Sequence, residues 1–202
     1  MLYFLIIFIT MFICISLAVV SSFFGVMPLW YAFTMPFLVV AYDLIFLGIV
    51  CVVMRLLPKA LWDYRRKRFT VGDEEVKFYD QKLHIKSWKE KVPEAGAASG
   101  FPKDKIYSTE EKYLKRFLEE NCFAESMHFV AGLIGITALF FLPTADFFFA
   151  IPITIVNFVL NIMPSMIQRY NRPKLVRIYE KICERNKSHE CFGESESMEK
   201  AK

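Results

Sequence analysis

Lysine and arginine are missing from two long stretches of this 202-residue chain. Over residues 1–54 the single charged side chain is Asp43, and over 126–168 it is Asp146. A water-soluble domain of this size has too little interior to bury such runs, so lipid is the solvent that fits them. Histidine is scarce, at 3, and the 5 cysteines show neither a C-x-x-C pair nor zinc-like spacing, which excludes a disulfide framework and a zinc ribbon. No arginine-rich arm and no interleaving of aromatic with basic residues suggests a nucleic-acid partner, and the net charge of +4 is mild. What the chain does hold is hydrophobic residues, 55% of the total with 21 phenylalanines, and a mean hydropathy of +0.34. These are the features of an integral membrane protein.

Each apolar stretch is too long for one crossing, which takes about 20 residues. The first is expected to break over 25–36, where Pro28, Trp30, Tyr31 and Pro36 supply helix breakers and interfacial aromatics. The second is expected to break over 143–146. The expected fold class is therefore an all-α integral membrane protein with four transmembrane helices, near 2–24, 37–57, 126–142 and 147–168. They form two hairpins, 1–57 and 126–168, separated by a basic cytoplasmic loop of amphipathic helices over 58–125. The first span lacks a basic n-region and a small-x-small cleavage site, so it reads as an uncleaved anchor rather than a signal peptide.

Orientation follows from the cations. Segment 55–125 carries 16 Lys and Arg and segment 169–202 carries 9, together all 25, while neither short connection has any. The positive-inside rule then puts both basic segments, and with an even span count both termini, in the cytoplasm of a multi-pass cell-membrane protein.

The basic loop is patterned. Arg65, Arg66, Lys67 and Arg68 follow Leu61, Trp62 and Tyr64, the composition of an anchor on anionic headgroups. Over 78–91, Tyr79, Leu83, Ile85 and Trp88 alternate with lysines as in one interfacial helix. Residues 93–104 read as a loop. Ser108 and Glu111 have the spacing of a capping box, and Tyr113, Leu114, Phe117 and Leu118 recur at helical spacing into span three. The tail 169–202 is expected to be cytoplasmic and disordered after about 184. In a reducing cytosol Cys122, Cys183 and Cys191 are expected as free thiols, with Cys122 and Cys183 accessible.

Three polar features stand out. Glu125 and His128, three apart on one helix, place a carboxylate beside an imidazole, which suits general-base work. The alternative is packing at the lipid boundary. A di-iron reading fails because it needs a second Glu-x-x-His, which the sequence lacks. Asn157 and Asn161 lie inside span four, where amides serve either as interhelical glue or as ligand contacts. Gln168, Arg169, Tyr170, Asn171, Arg172 and Pro173 close that span, and their arginine forks suit either phosphate or a membrane anchor. Spans three and four are antiparallel neighbours. Counting at 1.5 Å per residue from the short turn puts His128 and Asn161 at a similar depth, with the arginines two to three turns nearer the cytosol. The three features thus converge on one cleft.

These residues resemble a known family. The runs FYDQKLHIKSWKEKVPEAG, FLEENCFAESMH and NIMPSMIQRYNRPKL are similar to the glycosyl-4,4'-diaponeurosporenoate acyltransferases of staphyloxanthin-type carotenoid biosynthesis, over residues 78–175. Trp88-Lys89, Glu125 with His128, Asn161 with Pro164 and the hexad 168–173 carry the likeness. The resemblance implies a membrane acyltransferase needing no cofactor or metal. It would move a fatty acyl group from acyl-CoA or acyl carrier protein to a hydroxyl of a lipid glycoside. His128 and Glu125 are then the expected catalytic pair, with Glu125 orienting the imidazole. Asn161 or a backbone N–H is expected to hold the oxyanion, and Arg169 and Arg172 to meet donor phosphate. Gln168, Asn171, Trp88 and Lys89 complete the expected substrate contacts. The His-x4-Asp motif of glycerolipid acyltransferases is missing, since position 133 is Leu. The alternative function is a non-catalytic membrane protein that binds lipid or a protein partner through the basic loop.

Overall fold

A computed structural model describes the backbone of residues 2–92, 101, 105–141 and 147–200, and the side chains of 5–92, 101, 105–140 and 151–188. Among the described residues the chain is helical, with no strand. Four helices are long and apolar enough to cross a membrane: α1 (Leu2–Phe23), α2 (Leu29–Leu56), α5 (Glu111–Phe141) and α6 (Phe147–Lys200). Two short helices, α3 (Asp73–Gln81) and α4 (Ile85–Trp88), and three 3₁₀ turns lie between α2 and α5. The hairpin α5–α6 is the most closely packed pair, and α1 and α2 lie against it.

The helix α1 stops at a Schellman turn. Gly25 takes a φ of 72°, Val26 N–H donates to Ser21 O at 3.1 Å and Gly25 N–H to Ser22 O at 3.0 Å, which satisfies two carbonyls of the last turn. The following break is shorter than expected. Helix α2 opens at Leu29, behind Pro28, and Pro36 lies inside it rather than in a connection. Proline removes one backbone hydrogen bond, but Pro36 is buried with Ala32 and Val39 on the packed face, and membrane helices accept such a loss when neighbours cover it. The break at 143–146 and most of the 93–104 loop lie outside the described residues.

Two other expectations change. The segment 78–91 is not one helix, because the chain turns between α3 and α4 at His84, whose φ is 46°. Ser108 makes no capping box: its Oγ accepts from Glu110 N–H at 3.1 Å, two residues on, and α5 begins at Glu111. The tail after 184, expected to be disordered, is drawn as a continuation of α6 to Lys200. Glu184, Arg185 and Lys187 are good helix formers, and Asn186 Nδ2 donates to Glu111 Oε2 at 3.2 Å, tying this extension to the start of α5.

Three clusters make the interior. Cys14, Ala18, Ala32, Val39 and Ile153 join α1, α2 and α6 within the apolar layer. Val50, Met54, Trp62, Phe69, Cys122 and Phe123 join the end of α2 to α5 and the 3₁₀ turns. Phe101, Leu114, Phe117, Leu118 and Leu175 join the α5 and α6 extensions. Cys122 is fully buried, which corrects its expected accessibility. Outward faces of α1 and α2 expose Phe8, Phe12, Leu38 and Ile45, the surface a lipid-facing helix presents. Arg55 at the end of α2 forms a two-point pair with Glu120 at 2.8 and 2.9 Å, so the base of the first hairpin is fixed to α5.

Candidate functional site

Helix α5 carries Asn121, Glu125, His128, Gly132 and Gly135 at steps of three and four, so they share one stripe. Asn157, Asn161, Gln168 and Arg172 make the matching stripe on α6. The two stripes meet antiparallel as one polar seam. At its outer end Asn121 Nδ2 donates to Gln168 Oε1, and Asn121 Oδ1 accepts from Arg172 Nε at 2.7 Å. One turn inward Glu125 accepts from Arg169 Nη1 at 2.9 Å and from Arg172 Nη2. A further turn inward His128 Nδ1 stands 3.3 Å from Asn161 Oδ1, as the equal-depth count requires. Beyond it Asn161 Nδ2 donates to the Asn157 carbonyl at 2.9 Å and to Asn157 Oδ1 at 2.8 Å. Small residues allow this close approach, for a Cβ at Gly132 would touch Asn161 Cβ at 3.4 Å.

The arginines do something other than expected. Arg169 spends its fork on protein groups: Nε and Nη2 donate to Glu75 at 2.5 and 2.8 Å, Nη1 to the Arg68 carbonyl at 3.0 Å and to Glu125, and Nη2 also to the Thr70 carbonyl at 3.4 Å. Arg172 is buried, donating to Asn121, Glu125 and the Phe69 carbonyl, the last at 3.0 Å, with its guanidinium 5.2 Å from the Phe69 ring. Both forks are filled here by carboxylates and carbonyls, where the donor-phosphate expectation had them open. Their work is to pin α3 and the 67–69 turn onto α5 and α6. Electrostatics agree: hydrogen bonds from Arg169 hold the Glu75 carboxyl below the usual carboxylate range. Burial, helped by the Tyr79 bond to Glu75 at 2.8 Å, pushes the Tyr79 phenol up to about 12.

Two further roles change with this geometry. Both Glu125 oxygens carry a guanidinium, so the group set against His128 Nδ1 to orient the ring is Asn161. Both Asn161 amide protons are directed at Asn157, so Asn161 does not offer them to an oxyanion. Trp88 is a strut, its Nε1 donating to the Leu83 carbonyl at 2.9 Å across the α3–α4 corner. Lys89 does reach the hexad, with Nζ 3.5 Å from Asn171 Oδ1 and 5.7 Å from the Tyr170 ring centre. Among the described residues no group of three or more His, Cys, Asp and Glu stands at metal-ligand spacing.

A family model described as glycosyl-4,4'-diaponeurosporenoate acyltransferase matches residues 59–181. The chain belongs to this family. No curated protein and no solved structure matches it. The family's activity is acyl transfer in carotenoid biosynthesis. The match takes in the whole polar seam and the arginine cluster, whereas α1 and α2 lie before it. Within this acyltransferase domain, residues the sequence reading passed over carry much of the geometry. Asn121 is 2% exposed and had a readable sign, since it sits four residues before Glu125 on the same stripe. Glu75 had none, because an acid in a first helical turn is ordinary. Arg68, whose Nη2 donates to Ser126 Oγ, was read only as part of a surface anchor.

Proposed function

We propose that this protein is a four-span acyltransferase of the cell membrane that acts at the cytoplasmic leaflet. Its substrates would be an acyl thioester, on CoA or carrier protein, and a hydroxyl of a lipid-embedded glycoside such as a glycosyl-4,4'-diaponeurosporenoate. The observation that carries the reading is the His128–Asn161 contact inside the seam, where a membrane helix has little other use for an imidazole. All Lys and Arg lie in 55–125 and 169–202, which supports the loop and both termini facing the cytoplasm.

In the proposed reaction His128 takes the proton from the acceptor hydroxyl as its oxygen bonds to the thioester carbonyl carbon. The tetrahedral intermediate collapses, the carbon–sulfur bond breaks, and the leaving thiolate takes the proton from the imidazolium. Ester and free thiol are the products. Asn161 holds the ring, and the Glu125 cluster fixes the register of the helices around it. With the arginine forks engaged, Lys89, beside Asn171 and 3.5 Å from Glu90, is a cation placed to meet donor phosphate, where a mobile ammonium acts as a point charge.

The test is ester formation by the purified, reconstituted protein from a labelled fatty acyl-CoA and a glycosyl-4,4'-diaponeurosporenoate. General-base help is worth about 10²–10⁴ in rate, and His128→Ala should lose that much turnover while reaching the membrane at parental level. A His128→Ala protein with near-parental turnover removes the base role. No ester from the parent protein favours the alternative, a non-catalytic protein that binds lipid or a partner through its basic loop.

A further inference from the structure

Beyond the arginine cluster α6 runs on as a helix whose two faces differ. Leu175, Tyr179 and Ile182 pack toward Leu114, Phe117 and Leu118 of α5. On the opposite side Lys174, Arg177, Lys181 and Arg185 recur at steps of three and four, all exposed. Among the described residues Lys174, Lys181 and Arg185 enter no ion pair. Arg177 pairs with Asp73 at 3.8 Å, where the side chains are 73% and 84% exposed, so water screens that contact. The stripe begins one turn past Tyr170 and Asn171, where Lys89, just beyond α4, stands 3.5 Å from Asn171 Oδ1. Five cations thus follow one line away from the polar seam.

The length of that line decides what it fits. The apolar run of span four ends at Gln168, and Lys181 lies 13 residues on, about 20 Å at 1.5 Å per residue. About 5–8 Å of this is headgroup layer, and the remainder exceeds the screening length of about 8 Å. Anionic headgroups are therefore out of reach of the far half of the stripe. A nucleotide is too small, because Lys174 to Arg185 covers about 16 Å and the phosphates of one coenzyme A call for a compact cluster. Glu180 and Glu184 run along one edge of the stripe, which counts against a continuous polyanion. What matches a straight row of cations of this length is a single acidic helix on a partner protein. Acyl thioesters travel on such a partner as well as on coenzyme A. From Lys174 to the level of Asn161 is again 13 residues, about 20 Å, a distance suited to a long prosthetic arm rather than to direct contact.

We infer that the exposed stripe of Lys174, Arg177, Lys181 and Arg185, with Lys89 at its membrane end, docks the acidic helix of an acyl carrier protein and so selects that protein as acyl donor. The choice of donor rests on the acyl-transfer reading; the docking surface does not.

Binding and turnover test the two separately. The full chain in phosphatidylcholine nanodiscs is titrated with an acyl carrier protein loaded with a saturated fatty acyl chain, and Kd is read by biolayer interferometry. The parent should bind, and more weakly as salt rises. Lys181→Glu with Arg185→Glu should raise Kd about 10-fold or more, chiefly through a slower association, at parental Tm. Lysine replacing two acids on the carrier helix should restore binding to that variant. In the ester assay the KM for the carrier-bound chain should rise with Kd at unchanged kcat, while the KM for the same chain on CoA stays. No binding by the parent at low salt, or a Kd unmoved in the double variant, overturns the docking surface. An equal rise in KM for both donors gives the stripe to the nucleotide and overturns it as well. So does acetylation of Lys181 that falls when phosphatidylglycerol is added to discs without carrier, since the stripe then lies on lipid. Docking that responds to the charge reversals, with no ester formed, upholds the surface and removes the acyl-transfer reading.

Discussion

Arg172 keeps a charge at 2% exposure because its partners leave it little unpaired: a carboxylate, an amide oxygen, a backbone carbonyl and the face of Phe69. Breaking such a pair from one side costs about 3–5 kcal/mol, since the other side stays buried. Arg172→Leu should therefore lower the Tm of the detergent-solubilised protein strongly. Arg172→Lys, which keeps charge but not the fork, should fall between, with an unchanged KM for acyl-CoA. A raised KM at parental Tm in the Lys variant would return Arg172 to a donor-binding role. The sequence made this residue visible but not its use. A fork near a membrane exit reads as open because its partners, Phe69 and Asn121, are far along the chain. The same distance hid the claim of Arg169 on Glu125, which the three-residue spacing to His128 had assigned to the imidazole. Depth along a helix, by contrast, is legible, and it placed Asn161 at His128.

At the scale of helices, length and charge decide most of what is seen. Four apolar helices follow from the composition, because nothing but lipid suits those runs. Their ends are less legible, since proline is a breaker only where the surroundings cannot cover the missing bond, and Pro36 lies on a packed face. A long helix such as α6, with Pro152, Pro164 and Pro173 inside it, shows the same tolerance. Topology can be tested with thiols. Cys183 is partly exposed, and a cysteine replacing the exposed Lys67 would report on the loop. In intact cells a membrane-impermeant maleimide should label neither, and both after permeabilisation. Cys122, with no exposed surface, should stay unlabelled until the protein is denatured. Labelling of the Lys67→Cys protein in intact cells would reverse the orientation.

For the whole molecule the charged end is the part that responds to pH. Glu75 has its folded-state pKa depressed by Arg169, so its contribution is present above the unfolded carboxylate value of about 4.3 and is lost as pH falls through the folded value. Parental protein should thus lose thermal stability on acidification below about pH 4, read by the fluorescence of Trp62 and Trp88. Glu75→Gln should be less stable than the parent at pH 7 and should lose less on acidification. A parallel acid loss in both proteins would assign the effect to other groups.

The pair between Glu75 and Arg169 joins residues 94 apart in the chain. At roughly 5–20 residues per second, a ribosome would make the arginine roughly 5–20 seconds after the glutamate. Through that interval the first hairpin can already sit in the bilayer, but Glu75 and the Phe69 carbonyl lack the guanidinium groups that hold them to α6. The polar seam and its arginine cluster are accordingly a late product of biogenesis. Truncation before Arg169 should leave a membrane-inserted chain whose loop is open to protease, whereas truncation after Leu175 should leave that loop protected.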